Sequence, residues 1–220
     1  EFSSIHTLRG GEFSPKDKPY ACSTNRHIAI IIPFKKRWKH LTQLLYNLHT
    51  VLTRQLAHYV IVVVEPVTYS QHYFVSLNML NFSDFASEHN GTFNRGKLIN
   101  IAVDSLVKER GNAFDCFIIH DVDHLITDDR MIYSCEQSPR HLSVAISKYN
   151  YRLSKHSVRN KSKINVQTSL LENIGGVFAI TREQFQSING FSNVYWGWGG
   201  EDDDFYNRLV FKCFLSNITF

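Results

Sequence analysis

The sequence predicts an α/β protein built on a doubly wound sheet. Two apolar, β-branched runs, His27–Phe34 (HIAIIIPF) and Tyr59–Val64 (YVIVVV), flank a stretch with leucines at helical spacing. A third run, Cys116–His120 (CFIIH), follows a second helical stretch. Continuous apolar runs suit strands buried on both faces, and the order strand, helix, strand, helix, strand is how a parallel sheet is wound.

Taken in order, residues 1–25 are polar, with Gly10-Gly11, and read as an arm or linker, leaving 26–220 as one domain. Across 37–56, Leu41, Leu44, Leu45, Leu48 and Leu52 share one helical face. Across 94–108, Leu98, Ile101, Ala102 and Leu106 do the same. Further strands are expected at Leu142–Ile146 and Val177–Ile180, a short helix over 181–189 opened by Thr181, and a last helix over Phe205–Phe211. Residues 66–90 and 155–171 have little periodicity and read as long insertions. In such sheets ligands lie beyond the carboxyl ends of the strands. Pro33–Arg37 and Asp121–Asp123 are thereby placed at the mouth of one crevice.

The 220 residues carry a net charge of +4, with 43% hydrophobic and 20% charged side chains. Basic residues are scattered rather than banked, which argues against a nucleic-acid partner. No apolar run approaches the roughly 18 residues that span a bilayer. The chain starts without Met and stops abruptly, so it reads as a fragment missing an upstream anchor and part of the domain downstream. Cys22, Cys116, Cys135 and Cys213 are too few for a disulfide scaffold, and their spacing suits no zinc site. Sequons at Asn81, Asn90, Asn160 and Asn217 lean toward a secretory compartment.

Several segments carry candidate chemistry. Asp121-Val-Asp123 directly follows a buried strand; two carboxylates there can face one hard divalent ion, or simply solvate a strand-end turn. Lys35, Lys36 and Arg37 can meet a diphosphate or form an ordinary basic loop. Phe93-Asn-Arg95-Gly-Lys97 opens a helix, whose amides favour an anion, with Phe93 either stacked on a base or buried. Gly175-Gly176 allows close backbone approach to a ligand or a plain turn. Trp196 to Asp204 (WGWGGEDDD) sets two indoles on a glycine-rich backbone before four acids. Helix capping accounts for some acids there but not for the two Trp, whereas sugar binding uses both. Cys116 and Cys135 flank the acid-bearing loop, as a bridge or as two thiols.

In their order PFKKR, FNRGKLIN, CFIIHDVD, CEQSPRHLSVA, GGVFAIT and INGFSNVYWGWGGEDDD-FYNRLVF, these motifs resemble the β-1,4-galactosyltransferase family over roughly residues 22–211. The resemblance implies a GT-A-like nucleotide-sugar fold with a mostly parallel central sheet flanked by helices. It also implies a Golgi luminal enzyme, membrane-anchored when full-length. Such an enzyme transfers galactose from UDP-galactose to the 4-OH of a terminal GlcNAc on a glycoprotein or glycolipid, with inversion and Mn²⁺. Asp123 would bind Mn²⁺. Pro33, Lys35, Arg37, Phe93, Arg95, Asp121, Val122, Lys148, Asn173 and Trp198 would bind the donor. Trp198, Gly199, Gly200, Glu201 and Asp203 would bind the acceptor, with Asp202 as general base. Cys116 and Cys135 would form the family disulfide.

The sequence departs from that family at named places. Lys35 stands where Arg is usual, Cys213 where Gly is usual, and the family's further metal ligands, a Met and a His, lie beyond the last motif here. Asn173 stands where galactose-transferring members carry Tyr, so UDP-GalNAc is the alternative donor. An inactive sugar-binding domain is the alternative of another class.

Overall fold

The computed structural model describes residues 12–13, 27–66, 73–76, 80–82, 92–136, 139–143, 146–151 and 175–212. Asn173, Cys22, Cys213, residues 155–171 and the sequons at Asn90, Asn160 and Asn217 lie outside them.

One sheet runs through the molecule. Its strands are β1 (Glu12–Phe13), β2 (His27–Pro33), β3 (His58–Pro66), β4 (Tyr73–Ser76), β5 (Leu80–Phe82), β6 (Cys116–His120), β7 (Arg140–His141) and β8 (Val177–Thr181). Its order is β5-β4-β3-β2-β6-β8-β7, with β1 also paired to β3. Only β3, β2 and β6 run parallel; every other pairing is antiparallel. The expected parallel sheet is therefore the centre of a mixed one. Its parallel crossovers are made by α1 (Trp38–Arg54) and α2 (Arg95–Arg110), the two helices that the leucine spacing placed.

The strand runs are apolar throughout because both faces of the sheet are covered. Ile28, Ile30, Ile32, Tyr59, Ile61, Val63, Cys116 and Ile118 alternate onto the face packed by Leu41, Leu44, Leu48 and Leu52 of α1. The intervening Ala29, Ile31, Val60, Val62, Val64, Phe117 and Ile119 face Leu98, Ala102 and Leu106 of α2. On that second face lie also Phe185 of α3 (Arg182–Ser187) and Phe205 and Leu209 of α4 (Glu201–Phe211). Such a side chain, fully removed from water, contributes about 1.5–3 kcal/mol before the entropy of ordering is charged against it. Thr181 opens α3 with a reciprocal capping box to Gln184, as its position before the helical run predicts.

Four expectations need correction. Of the strand expected over Leu142–Ile146, residues 144–145 lie outside the described residues and Leu142, Ser143 and Ile146 are not in a strand; the strand found there is Arg140–His141. After His141 the regular register breaks, because the Leu142 and Ser143 amides both donate to the Val177 carbonyl at 2.8 and 3.3 Å. The last helix begins at Glu201, not Phe205. The four acids form its first turn, where negative charge offsets the helix dipole. β4 and β5 form within the stretch read as an insertion, and Glu12–Phe13 of the presumed arm pairs with β3. β2 covers one edge of β3 along its length, so β1 and β4 share the other edge, at Tyr59–Val60 and at Val63–Pro66. No helix among the described residues is long and apolar enough to cross a membrane.

Candidate active site

The carboxyl ends of β2 and β6 and the amino end of β8 meet at one rim. His120 lies opposite Val177, and the Asp121 amide donates to the Gly176 carbonyl at 2.9 Å. The chain then leaves β6 through Asp121–Asp123. A buried relay holds this turn: His120 Nδ1 lies 2.9 Å from the Asp121 carbonyl and Nε2 lies 3.0 Å from the Tyr133 hydroxyl. Burial lowers the His120 pKa to about 4, so the ring is neutral at pH 7. A carbonyl can only accept, so Nδ1 carries the proton and Nε2 accepts from Tyr133. A disulfide joins Cys116 to Cys135, with Cα atoms 5.5 Å apart, and closes the loop that carries the acids. A ring of this size stabilises by about 3 kcal/mol in the chain-entropy account.

Arg95 is the hub of the site. Asn94 caps α2 by accepting from the Lys97 amide at 2.8 Å, which turns Arg95 inward. Its Nε donates to Asp121 and its Nη1 to Asp202, both at 2.7 Å, and Nη1 lies 4.0 Å from Glu201. Only 8% of Arg95 and 7% of Glu201 is exposed. Burial disfavours the Arg95 charge, but the three carboxylates outweigh it and the guanidinium titrates above its ordinary value. Desolvation raises the Asp202 pKa against the pull of Arg95. Among the described residues, Arg95 Nη2 and Glu201 Oε2 are buried without a hydrogen-bond partner.

The rest of the acidic run divides by helical geometry. Asp203 is exposed. Asp204 pairs with Arg208 at 2.6 Å, and that guanidinium also donates to the Ile188 and Gly190 carbonyls. Asp204 is thus part of the scaffold. Upstream, Gly197 donates to the Phe93 carbonyl at 2.8 Å, tying the tryptophan loop to the entrance of α2. Phe93 itself packs against the α2-side core. Lys97 lies over the Trp196 ring, 5.7 Å from its centroid. Trp198 is fully exposed on this loop.

Gly200 sits at φ 94°, and a Cβ there would come 2.8 Å from the Tyr195 ring. At Gly199, also at positive φ, a Cβ would meet nothing within 4 Å. Gly200→Ala should therefore cost about 1–3 kcal/mol and exceed Gly199→Ala, as read from denaturant midpoints. Equal midpoints would show that the Tyr195 contact carries no weight.

On the opposite wall, Lys36 adopts a left-handed conformation (φ 52°) with its amide donating to Glu65 at 3.0 Å. This turn delivers Arg37, whose Nη1 meets Asp123 Oδ2 at 3.0 Å. His124 Nδ1 lies 3.2 Å from the other Asp123 oxygen. The His124 hydrogen bond, working against partial burial and joined by Arg37, holds the Asp123 carboxyl far below the usual range. Lys148, on a 3₁₀ turn over Ser147–Tyr149, lines a cleft of about 380 Å³ together with Asp123 and His124.

The structure thus brings Arg37, Arg95, Asp121, Asp123, Lys148, Glu201 and Asp202 to one rim. Lys35 lies at the edge of the same turn, and Pro33 is buried at the end of β2. Val122 buries its side chain in the α1-side core, so it can offer a ligand only its backbone. Sequence reasoning passed over His124, Glu65 and the His120–Tyr133 relay. A His immediately after the second Asp was the one visible signal among them.

Residues 2–136 match the family described as the N-terminal region of glycosyl transferase group 7, and residues 155–217 that described as the N-terminal domain of galactosyltransferase. A mixed sheet with an acid-lined rim is here the fold of a glycosyltransferase. Mouse β-1,4-galactosyltransferase 1 is 38% identical over 203 residues, which are 92% of this chain and 40% of the mouse protein. For mouse β-1,4-galactosyltransferase 6 the identity is 36% over 228 residues, covering 99% of this chain and 48% of the relative. The chain belongs to the β-1,4-galactosyltransferase family, and it spans less than half the length of these curated relatives. A solved Drosophila β-1,4-galactosyltransferase 7 variant, in complex with manganese, UDP-galactose and xylobiose, is similar with a TM-score of 0.59 at 26% identity. That likeness covers 84% of this chain and 61% of the fly chain.

The fly enzyme holds manganese, and the donor atoms present here suit such an ion. Asp121, Asp123 and His124 each offer one ligand atom, all within 4.8 Å of one another. Carboxylate oxygens with one imidazole match a divalent first-row metal.

Proposed function

We propose that the chain transfers galactose from UDP-galactose to the 4-OH of a GlcNAc-terminated glycan, with inversion and with Mn²⁺ held at Asp123. The observation that supports this most is the buried Arg95, which locks the part-buried Asp121 of the donor side and Asp202 of the base side into one ion-pair group. Manganese bound at Asp123 would offset the negative charge of the departing UDP. Lys35, Arg37 and Lys148 add positive charge on the same side.

Asp202 is the general base. It takes the proton of the acceptor hydroxyl as that oxygen bonds to the sugar's anomeric carbon and the bond to the UDP phosphate oxygen breaks. One displacement of this kind inverts the centre. Burial makes Asp202 more basic than a free carboxylate, while Arg95 favours its ionised form. The two unpartnered buried atoms, Arg95 Nη2 and Glu201 Oε2, offer one donor and one acceptor to sugar hydroxyls. Each costs about 1–3 kcal/mol while unsatisfied, a cost that a bound hydroxyl relieves. Trp198 offers an apolar plane to a sugar ring, and Asp203 reaches the acceptor from the open side of α4.

The site and the Cys116–Cys135 bridge suit the oxidising secretory lumen, and we assign the protein to the Golgi. Asn173 keeps UDP-GalNAc as the second donor to test. The test is UDP release with Mn²⁺ and a GlcNAc acceptor, comparing the two donors. Acceptor-stimulated release from UDP-galactose is expected. Cleavage indifferent to acceptor would indicate a hydrolase, and no turnover in the full-length protein would indicate a sugar-binding domain.

The raised Asp202 pKa sets a sign for the pH profile. The base works only when ionised, so activity falls as pH drops through its pKa. The acid limb of kcat/KM should therefore lie above the ordinary 3.8 of Asp. A limb at or below that value in a pH–rate series would remove Asp202 from the role.

A further inference from the structure

We propose that His124 is itself a ligand of the divalent ion, chelating it together with Asp123 and biasing the site toward transition metals over Mg²⁺. The inference rests on the reading that Asp123 binds the metal.

Asp123 has two oxygens, and the wall opposite claims one of them: Oδ2 accepts from Arg37. The other, Oδ1, faces His124 Nδ1 at 3.2 Å. Metal bonds of about 2.1 Å meeting at a right angle place neighbouring ligand atoms about 3 Å apart. The oxygen and the nitrogen are therefore already spaced as adjacent corners of one octahedron. A single ion can take both with little movement of either side chain. Asp121 brings a further oxygen within 4.8 Å of the same group. The metal-free Nδ1–H hydrogen bond gives way on binding: Nδ1 donates its lone pair to the ion, and the ring proton resides on Nε2.

The surroundings fix the ring for this use. Gly176 adopts φ +90°, and a Cβ there would come 2.9 Å from His124 Nε2. A glycine at this position is what admits the imidazole. The same residue accepts from the Asp121 amide at 2.9 Å, so the backbone that makes room for His124 also sets the acid-bearing turn. The His124 side chain is 25% exposed and borders the cleft shared with Lys148, which leaves the remaining positions of an ion open to substrate or water. An imidazole nitrogen binds Mn²⁺, Co²⁺ or Zn²⁺ readily, whereas Mg²⁺ holds to oxygen.

The test is Mn²⁺ titration followed by electron paramagnetic resonance, with pulsed measurement of nitrogen coupling, on the unsubstituted protein and on Asp123→Asn, His124→Leu and His124→Asn. Far-UV circular dichroism of the metal-free proteins checks that each is folded. The expected result is a nitrogen coupling that both His124 variants lose. Their Mn²⁺ dissociation constant should rise at least about tenfold, with Mg²⁺ affinity, read by competition, changing far less. A missing coupling, or one that persists with unchanged affinity in the His124 variants, overturns the inference. If Asp123→Asn loses Mn²⁺ while the His124 variants keep it, only the inference fails. If Asp123→Asn binds Mn²⁺ normally, or the unsubstituted protein does not bind it, the metal reading fails as well.

Discussion

Asp202→Asn is expected to lower kcat by about 10²- to 10⁴-fold while leaving UDP-sugar binding nearly intact. The variant keeps the size of the side chain and an oxygen for Arg95 to meet, but it cannot take a proton. Its partner is already anchored from elsewhere, since Arg95 Nε remains on Asp121 at 2.7 Å. The loss should therefore fall on the chemical step rather than on assembly of the site. Calorimetric binding of UDP-galactose and Mn²⁺ alongside single-turnover rates separates the two. A variant that retains more than about a tenth of the rate would move the base elsewhere on the rim.

Arg95→Met should produce the largest loss of stability, about 2–4 kcal/mol, because it strands the buried Glu201 and the part-buried Asp121 and Asp202 without a cation. Met fills the apolar path of the side chain, so the effect reports charge rather than volume. Three carboxylates share this guanidinium: Asp121, Asp202 and Glu201. The pH dependence has a definite sign. Asp202 already titrates above its ordinary value, and Arg95 is the group that opposes the rise. Without it the folded-state pKa climbs further. A carboxylate raised in this way destabilises the fold above its unfolded pKa, and the penalty is relieved as pH falls through the folded value. The variant should thus regain stability on acidification below neutrality, by more than the parent does, in urea melts taken from pH 7 to pH 5. Parallel pH curves for the two proteins would show that the ion-pair group does not couple to folding.

What the sequence made legible follows from how each element is stabilised. β2, β3, β6 and β8 are buried on both faces, so their burial is written as unbroken apolar runs. α1 and α2 announced themselves by spacing, and α3 by the Thr181 cap. The elements missed are held by other means. β7 has two residues and lies at the sheet edge, and β4 and β5 continue an antiparallel edge. None needs a long apolar signature. The start of α4 was hidden because a run of acids reads equally as loop or as first turn.

The candidate site divides in the same way. Asp121, Asp123 and Asp202 stood out as acids in unusual settings, and the family resemblance gave them roles. Which cation each one meets could not be read, because the contacts join distant segments: Arg37 to Asp123 across 86 residues and Arg95 to Asp202 across 107. Arg95 was expected to bind the donor; the fold also sets it between Asp121 and Asp202, a placement that the sequence did not show.

The Cys116–Cys135 ring has a consequence for the order in which the protein is assembled. Both cysteines leave the ribosome before β8 and α4 have been synthesised, and domains tend to fold from the end that emerges first. The segments bearing Arg37, Arg95, Asp121 and Asp123 all precede Cys135, so the covalent closure does not wait for the rest of the site. Glu201 and Asp202 follow later in the chain. Until they do, Arg95 has Asp121 alone of its three carboxylate partners, and the docking of α4 brings the other two.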